Sequence, residues 1–327
     1  MFTFAKKIDW MKYQFLNLTS GRSKIVLFLF LAFFGYLLTS FIALAIANLV
    51  GYDQLMERLG NLKLTDPDSL NLFRFVQIAM QVGLFFVGPV LYLLLVEQKP
   101  LKKIGLDQHP FKVNYLLIII LMLVCLPGIN FTHTLNQQMH LPAWLSGTEK
   151  WMQQKEDSAN SLTEAFLSMK SYKDLAINLL MFGLLPAIGE ELFFRGVLFS
   201  IIRDWTKRKH LTIFIIAFLF SAIHLQFYGF LPRFLLGVGL GYLLIFTGSL
   251  WAPILAHFLN TTMAVIAAFF FYKGKSTVNP DDFGSIDNLA INLISIGITI
   301  YIFRLIYQIN KPTRETNELR REWDSNP

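Results

Sequence analysis

Apolar positions along this chain neither alternate with polar ones nor recur every third or fourth residue. They fill long runs separated by short polar connections, and several runs exceed the roughly 18 to 20 residues that cross a bilayer. Eight spans are predicted, at about 25–50, 73–96, 114–131, 174–202, 211–227, 231–247, 250–272 and 288–307. The expected fold class is therefore all-α, a polytopic membrane protein with about eight transmembrane helices.

The basic residues sort by connection. One set holds Lys6, Lys7, Lys12, Arg22 and Lys24, then Lys99, Lys102, Lys103 and Lys112, then Arg203, Lys207, Arg208 and Lys209, then Lys311, Arg314, Arg320 and Arg321. The alternate connections hold Arg58 and Lys63, then Lys150, Lys155 and Lys170, then Lys273 and Lys275. The first set is more than twice the second, a positive-inside bias that predicts both termini in the cytoplasm. An even number of spans follows, and eight satisfies it.

Composition agrees with this picture: 54% of the 327 residues are hydrophobic and only 16% are charged. The net charge of +7 is spread beside the apolar runs rather than gathered in one patch, which argues against a nucleic-acid partner. The basic stretch at the N-terminus is long and no small-residue cleavage site follows the first apolar run, so no secretory signal is expected. Cys125, the one cysteine, lies in an apolar run and reads as a packing residue. No Walker or Rossmann motif and no internal repeat is present. The expected division is a cytoplasmic segment over 1–24, accessory helices and an external segment over 25–172, a core over 173–272, a last helix over 273–307 and a polar tail over 308–327. Within the external segment, WMQQKEDSANSLTEAFLSMK reads as an amphipathic helix at the outer surface.

Against this background GEELFFRG, residues 189–196, is anomalous: it sets two acids and an arginine inside a predicted span. Each charge costs on the order of 3 kcal/mol at the bilayer centre on insertion scales. Glu191 and Arg195 are four apart, share a helical face and can pair. Glu190 is rotated away, has no local partner, and is expected to face another helix or a wet cavity. Two isolated imidazoles, His224 in FSAIH and His257 in HFLN, lie in other spans, the second followed by Asn260 and Thr261 on its own face. Counted from the cytoplasmic ends, Glu190 and His224 both lie about 20 Å up and His257 about 10 Å. The last value rises if the uncharged connection TGSL dips into the bilayer. His109, His133, His140 and His210 sit in polar connections and read as surface residues.

EELFFR (190–195), FSAIH (220–224) and HFLN (257–260) resemble the CPBP family of intramembrane proteases, also called the Abi or CAAX-protease family, with its pattern EExxxR, FxxxH and a histidine followed four residues later by Asn or Asp. The resemblance covers roughly 175–265. It departs at one place: the family's Asn or Asp position falls on Thr261, and Asn260 is one residue early. The resemblance implies an endopeptidase acting on a membrane-associated or lipidated peptide, of CaaX or leader-peptide type. It implies Glu190 as the activator of water with His224 beside it, and His257 with the Asn260 amide as oxyanion donors. Glu191, Arg195, Phe220 and Thr261 are then supporting residues.

The preferred mechanism needs no cofactor. Zinc stays open as an alternative, with His224 and His257 as two ligands and Glu190 or Asn260 as a third, although a ligating Glu190 would cost the site its base. Two other functions fit the same residues: a catalytically weak scaffold or bacteriocin-immunity factor, and a proton-coupled transporter. The expected partners are a membrane-associated peptide or protein and the lipid bilayer. The expected setting is a bacterial cytoplasmic membrane.

Overall fold

The computed structural model describes residue 16, residues 18–50 and residues 66–311. Residues 1–15 and 17 of the expected segment 1–24, residues 312–327 of the expected tail 308–327, and Arg58 and Lys63 lie outside the described residues. Every regular element among the described residues is helical. We number the long helices α1 (Gly21–Leu49), α2 (Asp68–Val96), α3 (Lys112–Val124), α4 (Leu126–Gln137), α5 (Ser146–Leu167), α6 (Tyr172–Thr206), α7 (Lys209–Ala222), α8 (Phe230–Thr247), α9 (Trp251–Tyr272) and α10 (Leu289–Ile309). The chain is an integral membrane protein. Six of these helices are long and apolar enough to cross a bilayer, and α3 with α4 makes a seventh if the bent pair is one span.

Two differences from the expected eight spans have local causes. The run predicted at 114–131 continues to Gln137 but bends by 43° at Cys125. Pro127 stands in the first turn of α4, and a proline there cannot donate the amide hydrogen bond that would continue α3. The run predicted at 211–227 ends at Ala222, so α7 has 14 residues, about 21 Å. Leu225 takes a left-handed backbone (φ 52°) and turns the chain out of the helix. Asn136 of α4 then holds the turn: its amide donates to the Phe227 carbonyl at 3.2 Å and its oxygen accepts from the Leu231 amide at 2.7 Å.

Helix α6 is the axis of the site. Ser171 caps its start in a reciprocal capping box with Asp174, the hydroxyl accepting from the Asp174 amide at 3.1 Å. Two π-helical turns interrupt it, at Leu179–Leu184 and Leu192–Leu198, and bracket the acidic pair. Such turns recur at functional positions because one extra residue per turn re-aims the side chains around it. From Glu191 to Ile202 every residue of α6 is buried, packed among α1, α2, α7 and α9. Helices α1 and α2 approach through small residues: a Cβ on Gly35 would lie 2.4 Å from the Gly83 carbonyl oxygen, and one on Gly88 would lie 2.4 Å from the Ala32 Cα.

The helix ends gather at two opposite faces. At one, Lys103 pairs with Asp204, the Leu250 amide donates to the Gly105 carbonyl at 3.0 Å, and Trp251 Nε1 donates to the Leu106 carbonyl at 3.1 Å. At the other, the Phe166 carbonyl at the end of α5 accepts from Asn178 at 2.6 Å and Arg74 at 3.2 Å. There Asn130 also donates to the Phe283 carbonyl at 2.9 Å.

Candidate active site

The acidic pair divides into two environments. Glu191 and Arg195 are 0% and 1% exposed. Arg195 Nη1 donates to Glu191 Oε1 at 2.9 Å, and Nη2 donates to the Gly237 carbonyl of α8 at 3.2 Å. The guanidinium lies 4.3 Å from the centre of the Phe220 ring of α7, a cation–π contact in a site shielded from water. A buried ion pair is costly unless its other donors and acceptors are engaged; here three further helices supply contacts, while Glu191 Oε2 and Arg195 Nε have no hydrogen-bond partner among the described residues.

The third of those is α9. His257 Nδ1 meets Glu191 Oε1 at 2.9 Å. A carboxylate facing Arg195 accepts, so Nδ1 is the donor in this contact and Nε2 is the ring nitrogen left to face Glu190. That nitrogen stands 3.9 Å from Glu190 Oε2, beyond hydrogen-bond reach. Glu190 keeps 13% of its side chain exposed and forms no hydrogen bond with any described residue. His257 reaches this depth because the turn before α9 is buried. Ser249 and Leu250 are fully enclosed, and the Ser249 hydroxyl donates to the Gln108 carbonyl at 2.5 Å.

His224 stands two residues past the end of α7. Its Nδ1 meets the Phe220 carbonyl at 2.8 Å, so the free nitrogen of this ring is Nε2. Phe220 packs edge-on against both imidazoles, with ring centres 5.3 Å from His224 and 5.9 Å from His257. The two residues after His257 part company. Asn260 lines a cavity of about 1150 Å³. Thr261 turns its hydroxyl back to its own helix, donating to the carbonyls of His257 at 3.0 Å and Phe258 at 3.3 Å. Glu190, Glu191, Arg195, Phe220 and His257 are thus in one cluster, His224 and Asn260 border it, and Thr261 supplies it with no polar atom.

The cavity lies between α5, α4, the 223–229 turn and α9. It contains a residue that the sequence analysis passed over. Arg233 sits one helical turn before Gly237 on α8 and lines the cavity, its guanidinium donating to the Gln226 side chain at 2.8 Å. It interacts electrostatically with Glu190 and with Glu156 of α5. Its signal was in plain view, because an arginine inside a predicted span is a functional candidate by default. Of the remaining histidines, His133 and His140 line the cavity. His109 stacks on Trp251, and His210 meets the Tyr242 hydroxyl at 3.3 Å.

Among the described residues no group of three or more His, Cys, Asp or Glu side chains converges as a metal site would require. His257 Nδ1 is engaged by Glu191 and His224 Nδ1 by a backbone carbonyl, which leaves Nε2 as the nitrogen that either ring could offer to a metal.

Residues 172–263 match the family model described as type II CAAX prenyl endopeptidase Rce1-like. The matched stretch runs from the first residue of α6 into α9 and holds every side chain of the cluster. No curated protein and no solved structure matches the chain.

Proposed function

With a core that matches the CAAX-protease family as premise, we propose that the protein is an intramembrane endopeptidase in which Glu190 activates water. The observation that carries this is the division of labour within the acidic pair. Glu191 is consumed by Arg195 and His257, while Glu190 is left with no side-chain hydrogen bond to any described residue, partly exposed, and within electrostatic reach of Arg233, which lines the polar cavity. A water held between Glu190 and His257 Nε2 would give one proton to Glu190 as its oxygen attacks the peptide carbonyl, its other hydrogen donating to Nε2, and the protonated Glu190 would then pass that proton to the leaving amine. The Asn260 amide, one turn along α9 from His257, lines the cavity wall and would donate to a developing oxyanion. His224 Nε2 is a second donor or acceptor from α7. Arg195 and Glu191 position His257 and do not touch the reacting atoms. We place both termini in the cytoplasm, with α7 as a short eighth crossing.

The experiment compares purified protein with Glu190→Gln for cleavage of a quenched lipidated peptide and for proton flux in liposomes. Cleavage that disappears in the variant supports the peptidase. Flux that depends on Glu190 without cleavage would make the protein a transporter. One observation favours a second reading, a binding scaffold of the same fold: the position where the family carries Asn or Asp is Thr261, whose hydroxyl is spent on its own helix. An intact wild type that cuts nothing but retains a membrane partner would decide for it.

A further inference from the structure

The cavity belongs to one face of the molecule, and the charges identify that face. Lys99, Lys102, Lys103, Arg203, Lys207 and Arg208 lie on the face where Lys103 meets Asp204, and Gly21, at the start of α1, is against Trp205 there. The cavity lies at the opposite face. Its walls come from the end of α4, from α5, from the 223–229 turn and from the end of α9. The α5 wall is acidic, with Glu149, Glu156, Asp157 and Glu164 lining it against a single lysine, Lys150. Arg74, Lys155, Lys170, Lys173, Lys273 and Lys275 also lie at this face, but with Arg22, Lys24, Lys112, Lys209 and Lys311 the opposite face still holds more Lys and Arg.

The route to Glu190 from the basic face is closed. Every residue from Glu191 to Ile202 is buried, and the turn at Ser249 and Leu250 is sealed against residues 105–108. From the other face the cavity leads toward the cluster: Gln153 and Asn160 are exposed on its rim, Asn260 lines its wall one turn from His257, and Arg233 lines it within electrostatic reach of Glu190. Basic connections remain on the cytoplasmic side of a membrane.

We propose that this site is served from the extracytoplasmic side, and that its substrate is a polypeptide segment exposed there rather than the prenylated tail of a cytosolic protein. The word substrate rests on the peptidase reading, whereas the side of access does not. Which face opens follows from the helix ends themselves and is the same whether α7 is counted as a full crossing or not.

The test places a single cysteine on each face, Gln153→Cys on the cavity rim and Lys207→Cys on the basic face, in a chain whose own Cys125 is buried. Intact cells are treated with a membrane-impermeant maleimide, before and after permeabilisation. The proposal expects Gln153→Cys to label fully in intact cells, Lys207→Cys to label only after permeabilisation, and the parent chain to stay unlabelled. Labelling of Gln153→Cys only after permeabilisation, or of both positions from the same side, overturns it. Cleavage of an impermeant quenched peptide added to intact cells, compared with Glu190→Gln, tests the peptidase reading separately. Labelling reports the face even where no peptide is cut.

Discussion

His257 joins the two neighbouring glutamates of α6 through different nitrogens, Nδ1 at 2.9 Å from Glu191 and Nε2 at 3.9 Å from Glu190. One ring thereby converts two adjacent carboxylates into unlike groups. Glu191 becomes part of a buried network spanning α6, α8 and α9. Glu190 keeps part of its side chain exposed and makes no side-chain hydrogen bond with any described residue. Adjacent residues on a helix point about 100° apart, and that rotation lets one face the protein and the other the polar space.

The first prediction concerns this asymmetry. Glu190→Gln removes a group with no hydrogen bond to lose, so the protein should fold and melt within about 0.5 kcal/mol of the wild type. Its peptidase rate should fall by about 10²- to 10⁴-fold, the range for loss of a positioned base. Thermal unfolding in detergent, measured beside cleavage of the quenched peptide, checks both halves.

Arg195→Met should behave in the opposite way. It strands Glu191 as an unpaired buried charge, frees the Gly237 carbonyl and removes the cation from Phe220. Breaking a buried pair on one side costs about 3–5 kcal/mol. The expected outcome is a large drop in unfolding midpoint, with activity lost only as a consequence. A double replacement of Glu191 by Gln and Arg195 by Met should recover part of that stability, because no lone charge is left behind.

Much of this arrangement was legible in the chain and some was not. The spacing of Glu191 and Arg195 implied their pairing, since i and i+4 positions meet on any helix. The apolar runs set the helical class for the same local reason. What local pattern could not supply was the partner across space. Nothing in HFLN says that His257 will reach Glu191 rather than Glu190, because that depends on the buried turn at Ser249 and on the π turn after Glu191. The end of α7 was misjudged because His224 and Leu225 look like helix interior, and only the clamp from Asn136, 91 residues away from Phe227, shows why the chain turns there. Arg233 was missed because it carries no motif, although its position in an apolar span was signal enough.

Asn260 and Thr261 offer a test on adjacent residues. Thr261→Val removes a hydroxyl that bonds only its own helix backbone, so activity and stability should change little. Asn260→Ala removes an amide from the cavity wall beside the cluster. If that amide donates to the oxyanion, kcat should fall by about 10²- to 10³-fold with little change in KM. Steady-state kinetics of the two variants on one peptide separates the positions. Equal losses would mean that α9 has been perturbed as a whole.

Metal dependence gives the last test, and its logic runs through the histidine nitrogens. A catalytic zinc takes three protein ligands and leaves one position open. In this cluster His257 and His224 each have Nδ1 already engaged, so only their Nε2 atoms remain, and Glu190 would have to complete the set. A ligating Glu190 could no longer serve as the base, and Glu190→Asp, which shortens the side chain, would then lose metal and activity together. In the metal-free mechanism, dialysis against a strong chelator should leave the rate unchanged within error, and added zinc should restore nothing. Purified protein assayed before and after chelation, with its metal content measured in parallel, decides the matter. Stoichiometric zinc whose removal abolishes cleavage would require the two imidazoles and Glu190 to be rearranged around an ion.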